Sequence, residues 1–130
     1  MLDKVEYWLN LCDEDVLNAK AMINGKRFLG AGYFCHQIAE KALKAVVSHN
    51  TGESPPRTHK LLKLADQAGL LDELSEEHLF LLKGLVPLQV EARYPEYKEQ
   101  IAKTLNDEKC RELLKESEEF LCWIKKKLEK

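Results

Sequence analysis

Apolar residues recur every three or four positions through residues 1–50, which is the spacing of one face of an α-helix. The first stripe predicts a helix from about Asp3 to Asn24, with Gly25 as a natural C-terminal cap. After the connection GKRFLGAG, a second stripe predicts a helix from about Ala31 to Asn50. The two stripes comprise Val5, Leu9, Cys12, Val16, Ala19 and Ile23, then Ala31, Cys35, Ile38, Ala42 and Val46. Because the connection is short, the two helices are expected to run antiparallel as a hairpin.

The middle of the chain contains the clearest breaks in this helical pattern. Two consecutive prolines in TGESPPRT remove backbone donors and predict a loop. Thr58 is then expected to cap a short third helix, HKLLKLADQAG, which Gly69 ends. Ser75 predicts the start of a fourth helix, and Pro87 should kink or end it.

The last part of the chain predicts one irregular segment followed by one long helix. VEARYPEYKEQI is not typical of a regular helix, because Tyr94 precedes Pro95 and is pushed toward an extended conformation, so a structured connection is expected. Asn106 or Asp107 then caps the final helix. No segment shows the alternation of half-buried strands. The pattern predicts an all-α fold: an up-and-down four-helix bundle with one additional short helix, packed left-handed, forming a single domain over residues 1–130.

Composition and charge narrow the function classes. With 20 Lys and Arg against 22 Asp and Glu, the net charge is −2, so generic coating of nucleic acid is not expected. No apolar run approaches the roughly 20 residues that span a bilayer, and the start MLDKVEYWLN lacks the layout of a signal peptide. A soluble, cytoplasmic protein that does not engage membranes is expected. Trp8 and Leu11 lie off the first apolar stripe, and this leftover apolar surface predicts a homodimer.

The cysteines offer no chemistry of their own. Cys12, Cys35, Cys110 and Cys122 are far apart in the sequence, and no Cys-x-x-Cys pair occurs. Each falls within a stretch of helical periodicity, so they are interpreted as small core residues. Neither a metal nor a cofactor is predicted.

A column of polar residues on the second helix is the first candidate for chemistry. His36, Glu40 and Lys44 follow one another at intervals of four, with Gln37 and Lys41 beside them. They could be a solvated face of salt-bridged side chains. Alternatively, they form the wall of a groove, with His36 and Glu40 available for hydrogen bonding or proton transfer. A metal site would need more convergent ligands than one His-x-x-x-Glu pair supplies.

The second candidate is RYPEY, which places Arg93, Tyr94 and Tyr97 within five residues. Arginine and tyrosine in such a cluster can bind an anion or stack on a base. The structural alternative is that the tyrosines fill the end of the bundle while Arg93 caps carbonyl groups or pairs with a carboxylate.

Three segments together carry a resemblance to a known family: AGYFCHQIAEKALKA at 31–45, PPRTHKLLKL at 55–64 and EARYPEY at 91–97. In order and spacing they resemble the HEPN domain family, in particular the small prokaryotic type encoded beside minimal nucleotidyltransferases. The resemblance implies a four-helix bundle that pairs into a dimer. It also implies nucleotide binding in the groove and a role as companion of a minimal nucleotidyltransferase in a toxin–antitoxin-like system.

Many HEPN proteins are metal-independent ribonucleases, with an arginine followed after four to six residues by a histidine. Arg93 stands at the corresponding place here, but residues 94–103 contain no histidine, and Tyr97 occupies that neighbourhood. A tyrosine, with a reference pKa of about 10, is a poor replacement for a group that titrates near neutrality. A non-catalytic binding module is therefore expected, the alternative being a ribonuclease that uses Arg93 with a histidine from another helix.

Arg93 and Tyr97 are expected to line one polar groove with His36 and Glu40, because the resemblance implies that the connection before the last long helix lies against that face of the second helix. The chain offers eight candidate ligand-binding side chains. These are His36, Gln37, Glu40, Lys44, His59, Arg93, Tyr94 and Tyr97, with a nucleotide or RNA as the ligand.

Overall fold

A computed structural model of the chain describes residues 3–89 and 95–129, apart from the side chains of residues 95–98 and 102. The described residues form α-helices joined by irregular connections and two 3-10 turns, Leu71–Glu73 and Val86–Leu88. The helices are α1 (Lys4–Asn24), α2 (Phe28–Thr51), α3 (Leu61–Gln67), α4 (Glu76–Leu85), α5 (Pro95–Thr104) and α6 (Asp107–Leu128). The predicted all-α fold class is confirmed. None of the described helices is both long enough and apolar enough to cross a bilayer.

Helix α2 lies at the centre of the molecule. It packs along α1 and α6, the other two long helices, and also contacts α3, α4 and α5. Its alanines make this close approach possible, because Ala31, Ala39 and Ala42 are completely buried. Polar residues in the middle of this helix can therefore be enclosed by protein, as His36, Glu40 and Lys44 are.

The connection between α1 and α2 is shorter than the sequence pattern predicts. Helix α2 begins at Phe28 instead of near Ala31, which leaves residues 25–27 as the connection. The glycines that suggested a loop serve close packing instead: a Cβ at Gly32 would lie 3.2 Å from Leu88 Cδ1. Gly25 does cap α1, but the left-handed residue is Lys26, with φ of 58°.

Two further expectations are corrected in the second half of the chain. Helix α3 begins at Leu61, so Thr58 does not cap it; the Thr58 hydroxyl accepts a 3.3 Å hydrogen bond from the backbone N–H of Lys60. Residues Pro95–Thr104 form α5, where an irregular connection was expected. Proline is compatible with the first position of a helix, because the N–H it lacks has no partner within the helix there.

Several expected signals are confirmed. Gly69 adopts φ of +72° after α3, Pro87 lies in the 3-10 turn that follows α4, and Asn106 caps α6 by accepting from the N–H of Lys109 at 2.8 Å.

Of the cysteines, Cys122 is exposed, so its assignment to the core is wrong. Cys12 and Cys35 are buried, and burial raises the pKa of each thiol to about 12.

The start of α4 is held by a reciprocal cap. The Ser75 hydroxyl accepts from the His78 N–H at 3.0 Å, and His78 Nδ1 accepts from the Ser75 N–H at 3.4 Å. The His78 ring also packs against Phe120 and Trp123 of α6, with ring centroids 5.4 and 4.5 Å away. His78 must be neutral to accept this hydrogen bond.

We expect His78 to make the protein less stable in mild acid. Its burial lowers the pKa of His78 from the ordinary value of 6.5, despite the opposing charge of Glu77. On lowering the pH through 6.5, the unfolded chain therefore takes up this proton before the folded chain does, which favours unfolding. In His78→Gln, which keeps an acceptor at the cap but does not titrate, the free energy of unfolding in urea should fall less between pH 7 and pH 5. An equal fall in both proteins would contradict this role.

Candidate functional site

The polar column of α2 is buried, so its interpretation as a solvated face is wrong. His36, Glu40 and Lys44 expose only 1%, 2% and 7% of their surfaces, and Gln37 exposes 7%. A charged residue that is almost fully buried must be paired, since the loss of its hydration is costly. The polar contacts of this column therefore decide what it can do.

The Glu40 carboxylate is the centre of these contacts. Its Oε2 accepts from Lys44 Nζ at 3.0 Å, while its Oε1 lies 3.0 Å from His59 Nδ1 and 3.6 Å from His36 Nδ1. Lys44 Nζ also lies 5.4 Å from the centre of the Trp8 ring, within the range of a cation–π contact. The pairing of Glu40 with Lys44 offsets the cost of burying both charges.

His59 connects this buried cluster to the surface. It belongs to the segment between the two prolines and α3, and 58% of its side chain is exposed. Because Nδ1 faces a carboxylate, it is the nitrogen that donates, and Nε2 is left to interact with a ligand. Glu40 therefore fixes the ring of a histidine that is open to solvent.

A cavity of about 600 Å³ opens beside His59. Its described wall consists of His36, Arg57, Thr58, His59, Lys60, Leu61, Leu62, Lys63, Val86 and Gln89. Arg57, Lys60 and Lys63 bring three positive charges to this wall, and none of the described lining residues is acidic. Leucine and valine side chains form its apolar part. Such a surface suits a ligand that carries both an anionic group and an apolar part.

The cations of this wall were missed by the reasoning from sequence. Arg57, Lys60 and Lys63 recur every three residues in PPRTHKLLKL, and this periodicity was the available signal. The overall charge of −2 does not reveal a local cationic cluster of this kind. The histidine in the same segment, His59, was identified.

The predicted site residues are brought together in part. His36 and His59 line the cavity, whereas Gln37, Glu40 and Lys44 are buried in α2 and are not part of its described wall. Arg93 and Tyr94 lie outside the described residues, and Tyr97 falls within α5 but its side chain lies outside them too.

The sharing of one groove by His36 and Arg93 stays a prediction. Gln89 lines the cavity, and Arg93 follows it by four residues along the chain. No group of three or more His, Cys, Asp or Glu side chains among residues 3–89 and 95–129 is arranged to hold a metal ion.

Comparisons with known proteins identify the family. A family model described as the HEPN domain matches residues 5–128. The fold is similar to the crystal structure of TT1696 from Thermus thermophilus, with a TM-score of 0.81, 18% identity, and coverage of 97% of this chain and 99% of that one. It is also similar to ST0689, an archaeal HEPN homologue, with a TM-score of 0.72, 20% identity, and coverage of 98% and 99%. No protein of curated function matches the sequence. Because the family model covers nearly the whole chain, this protein belongs to the HEPN domain family.

Proposed function

We propose that this protein is a non-catalytic HEPN module that binds a nucleotide in the cavity beside His59. The observation that carries the proposal is the composition of the wall, where Arg57, Lys60 and Lys63 line the cavity together with two histidines, and no carboxylate is among the described lining residues. Cationic side chains of this kind form charge-assisted hydrogen bonds with phosphate oxygens. The apolar part of the wall offers a surface for the base.

The proposed biological role is that of a companion to a minimal nucleotidyltransferase in a toxin–antitoxin-like system. The resemblance of residues 31–45, 55–64 and 91–97 to HEPN proteins of that type supports it. We further propose that the 130-residue chain acts as one cytoplasmic unit and pairs as a homodimer. Exposed apolar side chains of α1 support pairing, since Leu17 is 66% exposed and Tyr7 is 51% exposed. Light scattering should give twice the chain mass of 15.0 kDa.

Binding of ATP should perturb the backbone amides around the cavity. In two-dimensional NMR spectra of the labelled protein, we expect shifts concentrated at residues 57–63 and 86–89, because these segments form the wall. Lys20 of α1 and Lys115 of α6 border a separate cavity of about 310 Å³. The amide signals of residues around these two lysines should not shift. Shifts concentrated at that second cavity, or none at millimolar ATP, would contradict the proposal.

The contact between His59 and Glu40 favours ribonuclease activity as the second candidate. A histidine held by a carboxylate is an arrangement suited to proton transfer. With Arg93 supplying charge for phosphate, His59 would replace the histidine that residues 94–103 lack.

Labelled RNA incubated with the protein in EDTA separates the two candidates. We expect the RNA to stay intact. Cleavage by the wild type that disappears in His59→Ala and in Arg93→Ala would establish the ribonuclease and overturn the non-catalytic assignment.

A further inference from the structure

A second surface, formed by α4 and α6, has a different character from the cation-lined cavity. At one end it holds a cavity of about 500 Å³ bordered by Glu76, Glu77, Glu112, Glu116 and Glu119. At the other end it continues, past Phe80 and Leu81, into a recess of about 190 Å³ bordered by Gly84, Leu88 and Ile101 among others. We call this continuous surface the α4–α6 groove. One of its ends is acidic and the other is mainly apolar.

The acidic end concentrates negative charge. None of its described lining residues is a lysine or arginine. Burial and the neighbouring Glu112 raise the pKa of Glu116, and Lys109, which borders the apolar recess, only partly offsets this. Cations placed along this end would relieve the repulsion between the glutamates.

Two residues of the groove are covered little by the described part of the chain. Phe80 exposes 75% of its surface, although a phenylalanine is among the side chains that gain most from burial. Gly84 costs α4 about 1 kcal/mol relative to alanine, and a Cβ at this position would meet nothing within 4 Å. Because no atom of the described chain lies near the missing side chain of Gly84, a helix of another molecule could approach α4 closely at this position.

We propose that the α4–α6 groove docks a helix of a different protein, one whose apolar face is flanked by lysines or arginines. The apolar face would cover Phe80 and pass close over Gly84, and the cations would lie along the glutamates. The recess is smaller than the roughly 300 Å³ at which small-molecule sites begin, and suits an anchoring side chain.

Charge pairing within the chain favours a foreign partner over a second copy. The lysines at the end of α6 are the densest basic stretch available to a second copy, but two of them are already paired. Lys125 contacts Asp13, and Lys127 contacts Glu73. The groove is separate from the proposed nucleotide cavity and goes beyond that function, so ATP binding should be unchanged when the groove is altered.

The test uses a fluorescent synthetic peptide of about 18 leucine and lysine residues, ordered to form an amphipathic helix. A second peptide has the same composition in an order without an apolar face. By fluorescence anisotropy, we expect the amphipathic peptide to bind the wild type at least tenfold more tightly than the reordered one. Gly84→Leu and the double variant Glu112→Lys/Glu116→Lys should each weaken its binding at least tenfold, whereas Leu17→Ala on α1 should not change it.

Gly84→Leu is the decisive variant because it fills open space on a helix and raises helix propensity, so its fold should be retained. Circular dichroism and ATP binding verify this. Equal affinity for the two peptides, or unchanged binding by Gly84→Leu, would overturn the proposal. A wild-type dimer that becomes monomeric in Gly84→Leu would overturn it too, by identifying the groove as an interface between copies.

Discussion

Replacing Glu40 with glutamine is expected to lower the free energy of unfolding by about 3 kcal/mol, because it leaves the buried Lys44 ammonium without a carboxylate. Lys44 Nζ lies 3.0 Å from Glu40 Oε2, and both side chains are almost fully buried. Water therefore cannot replace the lost interaction. The glutamine has nearly the same shape, which separates the effect of charge from that of packing. Urea unfolding monitored by circular dichroism measures the change.

Two further variants make this prediction specific. Glu118→Gln removes the carboxylate of an exposed pair with Lys20, at 3.7 Å, and should change stability by less than about 1 kcal/mol. Adding Lys44→Met to Glu40→Gln removes the unpaired charge and should recover part of the lost stability. If Glu40→Gln and Glu118→Gln lower the free energy of unfolding equally, or if the double variant is the least stable protein, Glu40 does not stabilise the fold by compensating the charge of Lys44.

The loss of Glu40 should also release His59. The carboxylate oxygens of Glu40 lie 3.0 and 3.1 Å from His59 Nδ1, and they are what orients this exposed ring beside the cavity. The structural and functional parts of the cluster are therefore linked through one side chain.

The helices were predictable because burial imposes a period on apolar residues. Of the residues in the two apolar stripes that open the chain, six have no exposed surface: Cys12, Ala19, Ala31, Cys35, Ile38 and Ala42. Caps were readable where one side chain satisfies a backbone donor, as Ser75 and Asn106 do. These are local properties, and a sequence records them directly.

Glycine and proline gave wrong predictions of local structure where their role depends on contacts with other helices. A Cβ at Gly30 would lie 2.8 Å from Met22 Sδ. This glycine therefore allows α2 to pack closely against α1 and does not mark a loop. The segment VEARYPEYKEQI was expected to be an irregular connection, whereas Pro95 is the first residue of α5. In both cases the same residue type is compatible with two local structures, and only the packing selects one.

The polar residues of α2 could be identified from their spacing, but their burial could not. The spacing of His36, Glu40 and Lys44 placed them on one face of α2, yet nothing in the spacing shows that α2 is enclosed by other helices. The contact of His59 with Glu40 spans 19 positions of the chain and depends on the path of the proline-containing loop. Long-range contacts of this kind follow from tertiary packing, which the periodicity of one helix does not specify.

Removing two cations from the cavity should weaken ATP binding about thirtyfold, or about 2 kcal/mol, since each charge-assisted contact with phosphate is typically worth more than about 1 kcal/mol. The variant is Lys60→Ala/Lys63→Ala. Both side chains are exposed, so their truncation should leave the fold intact. The matched control, Lys20→Ala/Lys115→Ala, removes the same charge at the cavity between α1 and α6 and should bind ATP as the wild type does.

Isothermal titration of these three proteins with ATP at low and moderate salt tests the central claim most directly. The cation-lined cavity predicts binding by the wild type and the control that weakens as salt rises, and a lower affinity with a smaller salt dependence in Lys60→Ala/Lys63→Ala. Equal ATP affinity in Lys60→Ala/Lys63→Ala and the wild type, or a loss of affinity confined to Lys20→Ala/Lys115→Ala, would contradict it.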